Sequence, residues 1–332
     1  MTSTPAAVPI RARLSLPGGR WTRFAIRRTG RLLVSLWVVV TASFLMIHLV
    51  PGDPVRAALG PTAPASLVAE NRASLGLDDP LLTQYLHYLK GIFTGDLGTS
   101  IVSQLPVRET IVQRLPATAE LAGLAFLLAV AIAIPLGVFV AVVTRRGRRR
   151  RTELAFAGTS VVLGSIPDFL VGVGLVYVFA VTLAWLPVAG NDTASSYLLP
   201  VVALALGTSA VLARIVRVET LAVLETDYIR TARAKRLPAL RINLVHALPN
   251  AVTATLTIGG LLLSSLIAGT VLVENVFAWP GLGSTIVASI TSKDYPVVQG
   301  IVLVYGVLVL VINTLVDVAI AVLDPRSTIG DA

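Results

Sequence analysis

The stretch ETLAVLETDYIRTARAKRLPALRINLVHALPN, residues 219–250, decides how this chain is read. It lies between two hydrophobic runs and carries a helical pattern. Its lysines and arginines outnumber its acids, which excludes it from crossing a membrane. Tyr228, Ile229 and Ala232 share one face of a helix at these spacings, while Arg230, Arg233 and Arg241 point elsewhere. Pro238 has no amide donor and a fixed φ. It ends a first short helix and sits near the start of a second. Thr231, Ala232 and Ala234 are small, so another surface could approach closely there. The stretch reads as a helix–turn–helix knuckle held at a membrane surface and offered to a partner.

Outward from the knuckle, the composition is that of a membrane protein. The 332 residues are 55% hydrophobic and only 14% charged, with a mean hydropathy of +0.81. A soluble domain of this size would carry far more charge. The first span is Leu32–Val50, long enough for a bilayer core and followed by no small-residue cleavage site, so an uncleaved helix is expected rather than a signal peptide. Further spans are expected at about Ala117–Val143, within Leu154–Leu186, and at about Leu198–Arg214, Val252–Val273 and Val298–Leu323. The third carries Ser165-Ile166-Pro167-Asp168, a proline beside an acid, in its interior. The fold class is therefore an all-α integral membrane protein with six transmembrane helices. The divisions are a basic tail 1–31, a first helix 32–50, an outer segment 51–115, a five-helix core 116–326 containing the polar loop 217–250, and a tail 327–332.

The basic residues orient these helices. Of the 27 lysines and arginines, 21 fall in the N-terminal tail, the loop Thr144–Glu153, the interval Arg214–Arg241 and Arg326. The other side holds Arg56, Arg72, Lys90, Arg108, Arg114 and Lys293. Positive charge marks the cytoplasmic side, so both termini, the arginine loop and the knuckle are expected there. The net charge of +9 is thus explained by topology and implies no nucleic-acid partner.

The outer segment is too long for a turn. Asp79-Pro80 resembles a cap followed by a first-turn proline, and Leu82, Tyr85, Leu86 and Leu89 follow at amphipathic spacing. A small structured cap is expected, with its helix on the membrane or over the bundle.

Little in the chain carries chemistry. There is no G-x-x-x-x-G-K-[ST], G-x-G-x-x-G, H-E-x-x-H or G-x-S-x-G sequence, so no means of binding ATP is visible. There is no cysteine, and His48, His87 and His246 lack ligand spacing, so no metal site is expected. Intramembrane acids remain: Glu120, Asp168 and Asp317. Glu120 and Asp317 lie near helix ends, where capping or interfacial placement explains them. Asp168 either caps a helix restarting after Pro167 or lines a path. In Glu274–Gly283, Phe277 and Trp279 suit a membrane interface, and Pro280 with two glycines forces a turn. That element either seals the outer face or touches substrate.

The knuckle resembles the coupling motif of permease subunits of bacterial ABC importers: EAA, three residues, Gly, nine residues, Ile, one residue, Leu-Pro. Arg230-Thr231-Ala232 takes the EAA place, Arg236 the glycine place, His246 the isoleucine place, and Leu248-Pro249 closes it. Asp227 to Lys235 is similar to the version in dipeptide and oligopeptide permeases. The likeness includes His48 to Pro54, Gly76 to Pro80, Gly95 to Gly98, Arg114 to Thr118, Glu274 to Gly283 and Leu323 to Arg326, and is placed from Arg28 onward. The long outer segment is similar to that of the first of two permeases in such systems. Arg236 departs from the glycine, so it must take φ > 0 at some cost or the turn must differ.

The resemblance implies a pathway subunit for di- or oligopeptides or similar small solutes in a bacterial cell membrane. Its implied partners are a second permease, cytoplasmic ATPases that hold ATP and Mg, and an extracytoplasmic binding protein; this chain itself binds no cofactor and is not an enzyme. The implied ATPase-coupling set is Asp227, Tyr228, Arg230, Thr231, Ala232, Arg233, Ala234, Arg236 and Leu237, with Asp168, Phe277 and Trp279 as a pathway or gate. The competing reading is a self-sufficient secondary transporter or channel using Asp168 and Asp317. An intramembrane enzyme is a third, with no nucleophile–base pair or metal set behind it.

Overall fold

The computed structural model describes residues 20–49 and 52–323. The start of the basic tail, the corner at Val50-Pro51 and the end from Asp324 to Ala332, with the tail 327–332, lie outside the described residues.

Long apolar runs form the bundle, and the helix over Val107–Thr144 continues through Pro116 and Pro135. Helix α1 (Arg20–Leu49) leads into an outer segment of α2 (Pro54–Leu59), α3 (Ala65–Ser74) and α4 (Leu81–Thr94). Helix α5 (Val107–Thr144) follows, then α6 (Arg150–Ser165), α7 (Asp168–Leu175) and α8 (Leu198–Leu224). The knuckle is α9 (Asp227–Ala234) and α10 (Ala239–Arg241), which winds through a wide π turn into α11 (Leu248–Val276). Helices α12 (Leu282–Thr291) and α13 (Tyr295–Leu323) close the chain. Among the described residues, five helices are long and apolar enough to cross a membrane, and the pair α6–α7 makes a sixth crossing if counted as one.

Helix α8 sits at the centre, packed against α5, α6, α7 and α11, while α1 packs on α13. The central core is Leu121 and Ala125 of α5, Leu199, Ala203 and Leu204 of α8, Leu266 and Val273 of α11, and Phe277 and Trp279 beyond it.

The third span is broken at the proline singled out in the sequence, and the helix restarts at Asp168. Helices α6 and α7 meet at 93°. Pro167 supplies the cause: it cannot donate to the preceding turn, and it drives Ile166 into an extended conformation (φ −80°, ψ 124°). Helix α5 also starts earlier than expected. Its 38 residues reach about 57 Å at 1.5 Å per residue, well beyond an apolar core of about 30 Å. Its first turns belong to the outer segment.

That segment is structured, as expected, but its details shift. Asp53, not Asp79, is the working cap: its Oδ1 accepts from the amides of Val55 (2.9 Å) and Arg56 (3.3 Å). Arg72 then bridges Asp53 (2.9 Å) and Asp78 (2.6 Å), joining α2 to the turn before α4. Burial alone would raise the Asp53 carboxyl, but the Arg72 bond and the two amides outweigh it and lower it. On α4 the expected stripe is split. Leu82 and Leu86 are exposed, and the helix meets α1 through tyrosines instead. The Tyr85 hydroxyl lies 2.9 Å from Thr41 Oγ1, and the Tyr88 hydroxyl donates to Ser43 at 3.2 Å.

Candidate functional site

The knuckle is a small folded unit. Ile229 and Ala232 of α9 pack with Leu224 from the end of α8, and with Ile242 and Ala247 from the turn before α11. Ile229 is fully buried, a contribution of roughly 1.5–3 kcal/mol. Tyr228 does not join them. It is 45% exposed, on the outer side with Asp227, Arg230, Thr231 and Ala234. The expected face of Tyr228, Ile229 and Ala232 is therefore corrected. A tyrosine one position before a buried isoleucine is rotated about 100° from it, and here the protein fills the isoleucine side. Ala232 is likewise buried and is not offered outward. Leu237 packs against this core, and Arg233 is half-buried.

Two arginines pin the unit to the end of α8. Arg145 donates to the Leu224 carbonyl at 3.0 Å and Arg233 at 3.4 Å, cations suited to a helix C-terminus. Arg217 on α8 donates to Glu153 on α6 (2.6 Å) and to Thr144 at the end of α5 (3.1 Å). The Arg230–Asp227 pair at 3.0 Å is largely exposed and adds little.

The turn between α9 and α10 settles the question raised by Arg236. Its φ is +57°, so the arginine adopts the left-handed conformation that glycine takes without cost. This stores roughly 1–2 kcal/mol. Arg236→Gly is expected to raise stability by about 0.5–1 kcal/mol, because glycine's freer unfolded chain offsets part of the relief. The thermal midpoint of the purified chain in detergent measures it. A lower midpoint would mean that contacts of the Arg236 side chain outweigh the strain.

The element after α11 forms a second cluster. Phe277 and Trp279 are buried within the protein rather than exposed on its surface. The Trp279 indole donates to the Ala117 carbonyl (3.0 Å), and its ring meets Tyr197 edge-on at 4.6 Å. Behind them Glu274 is fully buried. It accepts from the Thr118 hydroxyl (2.8 Å) and the Ser284 amide (3.0 Å), while Thr118 accepts from the Leu282 amide (2.8 Å). One carboxylate thus joins α5, α11 and α12. Sequence reasoning passed over Glu274 as a membrane acid because it opens a turn-rich segment. The signal was there: an acid directly ending an apolar run.

Asp168 stands apart from both clusters. It begins α7 at the bend, with no side-chain bond to its own helix. It nests between two other helices. A Cβ at Gly207 of α8 would lie 3.2 Å from Oδ1, and one at Gly269 of α11 would lie 3.3 Å from Oδ2. At both positions a Cβ would be tight, and Asp168 would have to give by a few tenths of an ångström to admit one. No ion pair to Asp168 forms among the described residues. Asp317, by contrast, is paired with Arg28. The two acids of the ion-site reading are thus not brought together as a pair of free carboxylates.

Comparison with known proteins completes the picture. The family model "Binding-protein-dependent transport system inner membrane component" matches residues 133–329, and its N-terminal companion matches residues 21–122. The likeness thus begins ahead of Arg28. The chain is 39% identical over 302 residues to the glutathione transport system permease protein GsiC of Salmonella choleraesuis, covering 91% of this chain and 97% of that one. It is 40% identical, with the same coverage, to the protein of that name in Pectobacterium atrosepticum. Among solved structures, an inward-facing MetNI methionine ABC transporter superposes with a TM-score of 0.54 at 20% identity, over 64% of this chain and 96% of that one.

Proposed function

The chain belongs to the binding-protein-dependent transport system inner membrane components, and we propose that its solute is a peptide or peptide-like small molecule. It is a multi-pass permease subunit of an ATP-driven importer. The reading of a self-sufficient transporter is set aside on the relatives' identity and on the pairing of Asp317.

The observation that carries the mechanism is the knuckle's outward face. Tyr228, Arg230, Thr231, Ala234 and Arg236 project from a unit closed by its own core. Such a unit transmits force, whereas a loop without a core would yield. In our reading this face docks in a groove of a cytoplasmic ATPase, which holds the ATP and Mg. Closure of the ATPases moves the knuckle, and through α8 and α11 it moves the bundle between inward and outward access. The positive residues around the knuckle support a cytoplasmic placement of this end and of both termini. A second permease completes the pathway, and an extracytoplasmic binding protein delivers the solute. Phe277, Trp279 and Glu274 form the seal of the outer face.

The test is reconstitution. Proteoliposomes holding this chain, a second permease and ATPase subunits are loaded with ATP, and uptake of labelled di- and oligopeptides and glutathione is measured. Uptake without ATPase, driven by an ion gradient, would overturn the reading.

Asp168 is proposed to line the pathway and meet a positive group of the solute. Asp168→Asn is expected to lower uptake of peptides with a free ammonium about tenfold or more, since a charge-assisted hydrogen bond contributes roughly 1.5–3 kcal/mol. N-acetylated peptides should be unaffected. Equal loss for both would assign Asp168 to the bend alone.

A further inference from the structure

Between the 145–149 turn and the knuckle lies a cleft of about 600 Å³. Arg145, Arg146 and Arg148 line one side, Arg233 lines the knuckle side, and no carboxylate is among the lining residues. None of these four arginines forms an ion pair among the described residues. Glu225 acts on Arg145 through space, one negative charge against four positive. Arg145 spends one guanidinium nitrogen on the Leu224 carbonyl, but its Nε is shut off from solvent with no partner.

The backbone is bent to make this arrangement. Arg146 (φ +57°), Gly147 (φ +72°) and Arg149 (φ +52°) all lie in the left-handed region. Two of the three are arginines, which adopt that conformation only at a cost. Strain of this kind persists where surrounding structure enforces it, often at ligand sites. Burial and then the charge of Arg146 push the Arg233 guanidinium below its ordinary value. Four cations in one concavity, with Glu225 as the one opposing charge acting on Arg145, repel one another, and an entering anion relieves this.

We propose that this cleft binds a phosphate-bearing anion, held by Arg146, Arg148 and Arg233 with Arg145 at its floor, and that the occupied cleft ties the knuckle to the 145–149 turn. Guanidinium groups present paired donors that match phosphate oxygens. The cleft exceeds inorganic phosphate in size and accommodates a phosphodiester headgroup or a phosphate ester. Basic pockets between helices at a membrane surface are suited to anionic headgroups, and a dissolved phosphate ester offers the same chemistry. The inference holds whatever solute is carried.

The test uses the full chain in nanodiscs, where both faces carry the same lipid and orientation does not matter. The thermal midpoint is followed as phosphatidylglycerol replaces phosphatidylcholine. In a second arm, inorganic phosphate is added at phosphatidylcholine, against chloride at equal ionic strength. Amide exchange across residues 227–237 is followed in both arms. The wild-type midpoint is expected to rise, and exchange in the knuckle to slow. A rise with phosphatidylglycerol alone assigns a lipid headgroup, and a rise with phosphate as well assigns a dissolved anion too. In Arg146→Gln/Arg148→Gln, two exposed positions, at least tenfold more anion should be needed for the same rise. Arg146→Lys/Arg148→Lys keeps the charge, guards against misfolding of the first variant and should retain most of the response. An equal rise in the glutamine variant and wild type, or no rise in either arm, overturns the site. A rise without slower exchange in the knuckle overturns the tie.

Discussion

Tyr228→Asp is expected to abolish ATP-driven uptake while the chain still inserts and folds. Tyr228 is 45% exposed on the outward face of α9 and takes no part in the knuckle's core. Replacing it leaves Ile229, Ala232, Leu224, Ile242 and Ala247 in contact. An aromatic anchor at the centre of an interface typically carries 2 kcal/mol or more, roughly 30-fold in affinity. Exchanging it for a carboxylate adds the cost of a desolvated charge. The measurements are co-purification of the ATPase subunits, uptake in proteoliposomes and the thermal midpoint of the chain. Loss of the first two with an unchanged midpoint is the expected result. Persistent uptake with the ATPases bound would remove this face from the docking surface. Ile229→Asp is the contrast: it places a charge in the knuckle's core, so its midpoint should fall together with its uptake. Ala232→Trp is expected to behave like Ile229→Asp, because Ala232 is buried.

Glu274→Ala is the second large effect, and it acts on folding of the outer corner. The change removes the acceptor of both the Thr118 hydroxyl and the Ser284 amide from a site closed to solvent. Each donor left unsatisfied costs about 1–3 kcal/mol, and the vacated volume adds to this. A total loss of roughly 3 kcal/mol or more is expected. Glu274→Gln should lose less. Its amide oxygen can still accept from Ser284, but its NH2 then faces Thr118, which already accepts from Leu282 and must surrender its own donor contact. The thermal midpoints of the two variants in detergent should therefore fall in the order wild type, Gln, Ala. A cysteine placed at Ser284 should react with a membrane-impermeant thiol reagent faster in the alanine variant. Equal midpoints for all three would show that the corner is held by Trp279 and Leu282 packing alone.

Much of the site was legible in order along the chain. The knuckle announced itself as a polar interval with helical spacing, its inner break marked by Pro238 and its close by Leu248-Pro249. Arg236 stands where the family resemblance implied glycine, and of the two outcomes left open there, φ > 0 or a different turn, the structure shows the first, at +57°. The bend after Ser165 was also encoded, in Pro167, though only as a break. What could not be read was direction. Tyr228, Ile229 and Ala232 could share a face by spacing alone, but the partner that selects the inward side is Leu224 with Ile242 and Ala247, supplied by the ends of two other helices. Glu274 posed the same difficulty. Its partners, Thr118 and Ser284, are 156 residues before it and 10 after it.

By itself, the sequence determined the solvent of each segment: apolar runs for the bilayer, arginine-rich intervals for one surface, and one helical knuckle between them. Composition and hydrophobic period settle these because they are local properties, each summed over a few turns of chain. Only the tertiary structure decided that α6 and α7 meet at 93°, that Tyr228 faces out, that Glu274 is enclosed and that four arginines share one cleft. The reason is physical. A proline removes a hydrogen bond without setting an angle, and a helix offers several faces at equal local cost. The choice among them falls to contacts with segments far away in the chain, which fill the space on one side and leave the other open.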